Sequence, residues 1–390
     1  MAPHRDRADV VVVGGIIGAA CADELARTGR SVVLLESEVL AAGASGRNQG
    51  LIVAPGDPPL VPMARASLDM YRSIARDGPL PIRLDADAIG FLRVAESDDE
   101  LEDLEAEAVA AERFSNVRVD RLSPADVVRV EPGVAPDLAG GCLFHTGRRV
   151  DPTSLTVALA LRARDRGAEV REHEPVRGLL HDGGAVRGVV TDGGPIRADV
   201  VVVAAGPWVT DLLRPAGVDL PIEAARGWLV VVASRSPLLS RPVESAGGTW
   251  RDPPVSLTAG EYVGTEPAAG LGTLVHPSAD GTTVVGSSRE PVIAQDEVDA
   301  SVPRAILRRA IRFVPRLADA HVRSTWWGIR PMSPDDRPLV GFVRDGLLVA
   351  GGHGAEGVLL GGGTATLVRS QILGDAPPFD PAPFDPARFG

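Results

Sequence analysis

The chain has 390 residues, 44% of them hydrophobic, with a formal net charge of −12. That is apolar material enough for one large or two ordinary domains, on a chain too acidic for nucleic acid or an anionic membrane, whose phosphates call for clustered cations. All 40 basic residues are arginine, which excludes a Walker A lysine, a Schiff-base lysine and a lysine general base. No apolar run approaches the roughly 18 residues of a membrane span, and the charged start runs directly into a strand pattern, so a cytoplasmic protein is expected.

The first strong pattern is ADVVVVGGIIGAACADELARTGRSVVLLE. It predicts a strand over residues 10–13, a helix over 17–28 and a second strand ending at Glu36, the βαβ opening of dinucleotide-binding domains. Gly15 and Gly18 let the backbone approach a pyrophosphate, and the helix N-terminus offers free amides and a positive dipole end to the anion. Glu36, at the tip of the second strand, is placed to accept hydrogen bonds from an adenosine ribose and would repel a 2′-phosphate. The fingerprint departs from GxGxxG at its first position: the run reads Val13, Gly14, Gly15, Ile16, Ile17, Gly18, so the first glycine is replaced by valine or displaced by one residue.

An insertion over about residues 61–149 follows, with a charged helix near 97–113. A second helix over 152–166, short strands with Gly-Gly turns and a buried strand over 199–204 return the chain to the first sheet. A second insertion, about 220–322, is rich in short β-type runs such as GWLVVVAS, GTLVHP and TTVVGSS, and predicts an antiparallel sheet. The chain then re-enters the first domain through DGLLVAGGHGAEGVLLGGGTATLVRSQIL. The Pro-, Asp- and Phe-rich tail over 376–390 reads as an extended surface segment. The expected fold class is α/β: an interrupted Rossmann-like FAD-binding domain (1–60, 150–219, 323–375) plus an antiparallel-sheet α+β substrate domain (61–149, 220–322). Cys21 and Cys142 lie far apart without metal-ligand spacing, so no disulfide framework and no metal site is expected.

Arg330 stands in the apolar run WWGIRPM. A guanidinium taken out of water costs several kcal/mol unless paired, so an anion belongs beside it.

These pieces in this order resemble the FAD-dependent amine and amino-acid oxidoreductases of the D-amino-acid oxidase superfamily, in particular the glycine oxidase and sarcosine oxidase branch. The resemblance spans nearly the whole chain to about residue 375. It rests on the βαβ start with Glu36, on GASGRNQG (43–50), on VDP before the second helix, and on ADVVVVAAGPW, GIRPMSPDDRPLVG and GGHGAEGV. It implies non-covalent FAD, because Gly328 stands near where sarcosine oxidase-like members attach flavin through cysteine. It implies a cofactor set of Gly14, Gly15, Ile17, Gly18, Glu36 and Ser37 at the first turn and strand. Ala44, Ser45, Arg47, Asn48 and Gln49 follow in the loop, Val176 through its backbone, and Ala205, Gly206 and Trp208 at the middle turn. Arg330 and the run Gly352, His353, Gly354, Ala355, Glu356, Gly357 and Val358 complete it. A serine hydroxyl and an arginine fork are sound donors to phosphate oxygens, and the last run starts a helix whose dipole would favour a reduced, anionic flavin.

The resemblance also matches Arg330 to the arginine that grips the substrate carboxylate in a two-pronged pair. The rival reading is an internal ion pair with Asp335 or Asp336; Arg337 and Arg226 read as structural. His276, Tyr262 and Glu356 are the remaining candidate catalytic residues, Glu356 as a recogniser of a substrate ammonium. Leu274 stands where glycine oxidase-like proteins often carry tyrosine. The implied reaction is oxidation of the C–N bond of a small amino acid or N-substituted glycine to an imine, with O2 or another electron acceptor. Two alternatives stay open: a flavin enzyme acting on a 2-hydroxy acid, for which His276 would serve as base, and a flavin subunit of a multi-subunit amine or opine dehydrogenase.

Overall fold

The computed structural model describes residues 5–247, 270–278, 280–292 and 301–389. In chain order, β1 (Arg7–Gly14), α1 (Ile16–Ala26) and β2 (Val32–Leu35) form the opening unit, then β3 (Leu51–Ile52) and α2 (Leu60–Asp77). The first insertion holds β4 (Phe91–Ala95), α3 (Asp98–Ser115), β5 (Val119–Leu122), α4 (Pro124–Val130), β6 (Gly140–Phe144) and β7 (Arg148–Arg149). Next come α5 (Pro152–Asp165), β8 (Glu169–Arg171), β9 (Val176–Asp182), β10 (Ala185–Thr191), β11 (Gly194–Ala204) and α6 (Val209–Leu213). The second insertion holds β12 (Glu223–Ala233), β13 (Val243–Ser245), β14 (Gly270–Pro277), β15 (Thr283–Pro291) and α7 (Val302–Phe313). The chain ends with β16 (His321–Met332), β17 (Leu339–Arg344), β18 (Leu347–Gly351) and α8 (Gly357–Leu373).

Two eight-stranded sheets organise these elements. In the first, β8, β2, β1, β11 and β18 lie side by side and parallel, with β17 antiparallel at one edge and β10 and β9 branching from β11. The strands VVVV and VVLL are apolar throughout because both faces are covered, as parallel sheets require. Helices α1, α2, α5 and α8 cover one face, and the β9–β10 hairpin and α6 the other. The second sheet runs β16-β12-β15-β14-β13-β4-β6-β5 and is antiparallel except where β13 meets β4. Its backing face packs on α7 through Trp228, Val230, Val275, Val285, Ile306 and Phe313.

Three expected boundaries move. Helix α2 packs in the core against the first sheet and α8, with Met63 and Tyr71 fully buried there, so the first insertion starts after it. Strand β16 pairs with β12 over its whole length, so the chain returns to the first domain only after Met332. The tail is not an extended surface segment: two short 3-10 turns bury Phe384, and Arg388 forms a two-pronged pair with Asp335 at 2.9 Å on each arm.

The seat of α8 is unusually close. Gly362 and Gly363 face α2 where a Cβ would press on the Ser67 backbone and on Met63. The Gly363 amide donates to Ser67 Oγ at 2.9 Å, and Tyr71 donates its phenol to the Val358 carbonyl at 2.7 Å. Asp23 on α1, fully buried, accepts from Arg162 and Arg166 at or just past the end of α5 at 2.6 Å each. No helix among the described residues is long and apolar enough to cross a membrane.

Candidate active site

The first βα turn is built for a close neighbour. Gly14 has a φ of +129°, where L side chains strain, and a Cβ there would collide with the Ala204 carbonyl of β11. A Cβ on Gly15 would collide with Ser45 Oγ. Helix α1 begins without an acidic residue or a side-chain cap of its own, leaving a positive end that suits an anion. Ser45 Oγ sits over that end and accepts from the Ile16 amide at 2.9 Å. Val13, in the first fingerprint position, lies within β1 opposite Leu35 and Val203 and packs into the core. Gly14 ends β1 opposite Ala204, and Gly15 makes the turn into α1.

Glu36 follows β2 and accepts from Ser37 Oγ at 3.1 Å and the Glu38 amide at 3.2 Å. The Glu174 amide donates to the Glu36 carbonyl at 2.9 Å, which brings the strand start at Val176 alongside. Asn48 is used by its own loop: its amide donates to the carbonyls of Ala44 and Ser45, and its oxygen accepts from Gly50. Arg47 is exposed and donates to the Ala42 carbonyl at 2.7 Å. Gln49 reaches the second sheet, its amide 3.5 Å from the Leu274 carbonyl. Gly206, with a φ of +56°, turns the chain into the 3-10 segment ending at Trp208. Trp208 is 49% exposed beside Gly43, so it is not a core residue.

At the second sheet, β16 carries Arg330 opposite Ala225 of β12. Its side chain crosses Gly227, where a Cβ would collide with the guanidinium, and donates from Nη1 to the Ser288 carbonyl at 2.9 Å and from Nη2 to Ser287 Oγ at 2.7 Å. Loss of water around the guanidinium, and Arg289 nearby, push its pKa down to about 10 against the opposing pull of Glu290. The two aspartates considered as partners are engaged elsewhere: Asp335 with Arg388, and Asp336 with Arg289 at 3.8 Å. Arg337 pairs with Asp57 at 2.6 and 3.0 Å, and Arg226 is buried over the Trp327 ring, 5.0 Å from its centroid.

The start of α8 meets this end of the sheet. The Gly354 amide donates to the Pro331 carbonyl at 2.8 Å, and His353 bridges to Met332. His353 is buried with Nε2 2.9 Å from Thr364 Oγ1, and burial pushes its pKa down to about 3, so it fastens the loop to the helix as a neutral ring. Gly352 and Gly354 both have positive φ; Ala355 is exposed; Gly357 and Val358 begin the helix. Glu356 is the N-cap residue and is half-buried. Burial, with Glu244 and then Asp336 adding negative charge, pushes its pKa up to about 7. Burial does the same to Glu244 on β13, also to about 7.

His276 is placed apart from Arg330. It is buried on β14, opposite Val284, near the Asp85–Arg149 pair, and burial and Arg149 push its pKa down to about 4 against Asp85. Its Nδ1 has no hydrogen-bond partner among the described residues. Tyr262 lies outside the described residues. Sequence reasoning missed Ser287, Arg289 and Glu244; the run GSSRE, where an apolar strand turns polar, was the available signal for the first two.

The model of the DAO family, FAD dependent oxidoreductases, matches residues 9–371. Glycine oxidase of Geobacillus kaustophilus is 28% identical over 392 residues, covering 98% of this chain and 97% of that one; its crystal structure superposes with a TM-score of 0.85. Glycine oxidase of Pseudomonas putida is 30% identical over 389 residues, 96% of each chain. The formaldehyde-forming 4-methylaminobutanoate oxidase of Paenarthrobacter nicotinovorans is 30% identical over 387 residues, 97% of this chain and 45% of that protein.

Proposed function

The chain belongs to the FAD dependent oxidoreductase family, and from that premise we propose that it oxidises the C–N bond of a small amino acid or an N-substituted glycine to an imine. The observation that carries this reading is Arg330, a fork laid over Gly227 on the face of the substrate sheet that meets the first domain at Gln49 and at the start of α8. A planar guanidinium with two parallel donors suits a carboxylate, and holding that group fixes the neighbouring carbon for reaction. Relatives named for glycine and for 4-methylaminobutanoate support an amine substrate.

FAD, when bound, supplies the two-electron acceptor that the substrate carbon requires. The residues that would hold it are Gly14, Gly15 and Ser45 for the pyrophosphate, Glu36 for the ribose, and the α8 start from Gly354 to Val358 for the ring. The cradle at Gly14 and Gly15, closed to any side chain, fits such a group. Attachment is non-covalent in this reading: Gly328 faces Arg47, and both cysteines are buried in α1 and β6.

Amine oxidation needs a neutral nitrogen and a fixed pose rather than a strong base. The 2-hydroxy-acid alternative needs a base for the hydroxyl proton, and His276, weakly basic and set beside Asp85 and Arg149, is poorly suited to it. Anaerobic addition of amino acids, N-alkyl glycines and 2-hydroxy acids to the yellow holoenzyme tests the reading: amines should bleach the flavin. Bleaching by hydroxy acids alone would refute it. Readmitting air then separates O2 from another acceptor by the rate at which colour returns.

A further inference from the structure

The turn between β16 and β17 adjoins the seat of Arg330. Arg330 lies two residues before the end of β16, and its acceptors, the Ser287 hydroxyl and the Ser288 carbonyl, lie on β15 just before Arg289, which reaches Asp336 of the turn at 3.8 Å. On the other flank the Gly354 amide donates to the Pro331 carbonyl at 2.8 Å, and a Cβ on Gly352 would stand 3.2 Å from Ser333. The turn from Ser333 to Arg337 therefore meets both the strands that seat the fork and the loop that opens α8.

Arg388, in the segment that follows α8, sets the shape of that turn. Its Nε and Nη2 donate to the two carboxylate oxygens of Asp335 at 2.9 Å each, and Nη2 donates also to the Arg337 carbonyl at 2.9 Å. The same carbonyl accepts from Ser333 Oγ at 2.7 Å, and Asp335 accepts from the Arg337 amide at 3.2 Å, so one guanidinium ties the two arms of the turn together. Exposed ion pairs contribute little. Here 14% of the arginine side chain and 31% of the aspartate are exposed, and a two-pronged pair between charged groups is both stronger and directional. The clamp is also anchored in the core. Phe384 is fully buried with Phe379 edge-on to it, ring centroids 6.2 Å apart, and a Cβ on Gly341 of β17 would press on Pro386.

We propose that Arg388 is a positioning residue for carboxylate binding: by holding Asp335 and the Arg337 carbonyl it fixes the turn, and the turn fixes the end of β16 from which Arg330 reaches out. This rests on Arg330 as the carboxylate anchor argued above. Arg388 touches no reacting group, and it acts from a segment whose sequence reads as unstructured.

The test is titration of the oxidised flavin spectrum of the holoenzyme with propionate, a bare carboxylate that is not turned over. In Arg388→Met the affinity should weaken by about fivefold or more, the size of effect expected between members of one hydrogen-bonded network, and Asp335→Asn should weaken it similarly. The exchanged pair Arg388→Asp with Asp335→Arg should recover part of the loss. In an Arg330→Met background Arg388→Met should change the affinity by less than about twofold, because the two substitutions then remove the same interaction. If Arg388→Met sheds its FAD, Arg388→Lys, which keeps the charge but not the two parallel donors, replaces it and should also weaken binding. A lowered Tm with propionate affinity unmoved would make the clamp structural only and overturn this proposal alone. Failure of propionate to bind the parent holoenzyme would overturn it together with the reading beneath it.

Discussion

The guanidinium of Arg330 lies directly over the α-carbon of Gly227, two strand positions along β12 from the residue that Arg330 opposes in the ladder. Glycine is needed there because the arginine occupies the place of its side chain. Gly227→Ala should displace the fork without emptying the core. The expected outcome is a rise in KM for the carboxylate-bearing substrate of about tenfold, equivalent to roughly 1.4 kcal/mol, with the FAD content unchanged. Steady-state kinetics beside an absorbance ratio of the purified protein checks both halves.

Removing the fork itself should be more severe. Arg330→Met takes away both donors while leaving an apolar stem over Gly227. Loss of one partner from a desolvated charge pair costs about 2–5 kcal/mol, so binding of a carboxylate inhibitor should weaken by at least thirtyfold in a spectral titration. Arg330→Lys should recover little of it, because an ammonium cannot present two parallel donors.

His276 offers a contrast. His276→Val should leave kcat/KM within about threefold, since truncation away from the site seldom exceeds a modest energetic change. A loss of turnover of a hundredfold or more with an intact fold, measured by kinetics and circular dichroism, would instead give this ring the base's role and favour a hydroxy-acid substrate.

The carboxyl of Glu356 gives a pH signature. Its folded pKa, pushed up to about 7 from an ordinary 4.5 by burial and by Glu244 and Asp336, means that the folded protein binds a proton which the unfolded chain has released. Stability from this group is therefore complete below about pH 4.5 and is lost as pH rises through 7. Glu356→Gln should flatten the fall in Tm between pH 5 and 8, with its largest gain over the parent at the alkaline end, in a thermal-shift series.

Asp23 should behave as a structural anchor. Asp23→Ala leaves Arg162 and Arg166 facing one another around an empty site, and removing one member of a buried ionic group typically costs about 3–5 kcal/mol. Urea unfolding should show a lower midpoint with an unchanged slope.

The βαβ opening was legible because it rests on a local pattern, an apolar strand followed by a glycine turn, and Glu36 and Arg330 stand out in the sequence as a charge at a strand tip and a charge inside an apolar run. Arg289 was not, because its place near Arg330 depends on β12 pairing with both β15 and β16, residues far apart in sequence. Helix α2 falls inside the stretch expected to be the first insertion, and nothing local in its sequence says that its buried face is met by α8. Strand β16 falls within the range expected for the first domain because its motif runs on without a break into the turn and strand that join the first sheet, whereas it pairs with β12. The tail misled in the same way: alternating Pro, Asp and Phe look unstructured until Asp335 and the pocket for Phe384 are supplied by the rest of the chain.

The contact of Gly362 and Gly363 with α2 has a consequence for anyone altering this protein. With backbone resting on backbone, the two helices behave as a single beam, and the tip that carries Glu356 inherits its height from Met63 and Ser67 on the other member. A bulky replacement at either glycine would shift the start of α8 from behind, and if that end holds the flavin as proposed, selection for altered activity should find changes on α2 that touch no ligand at all.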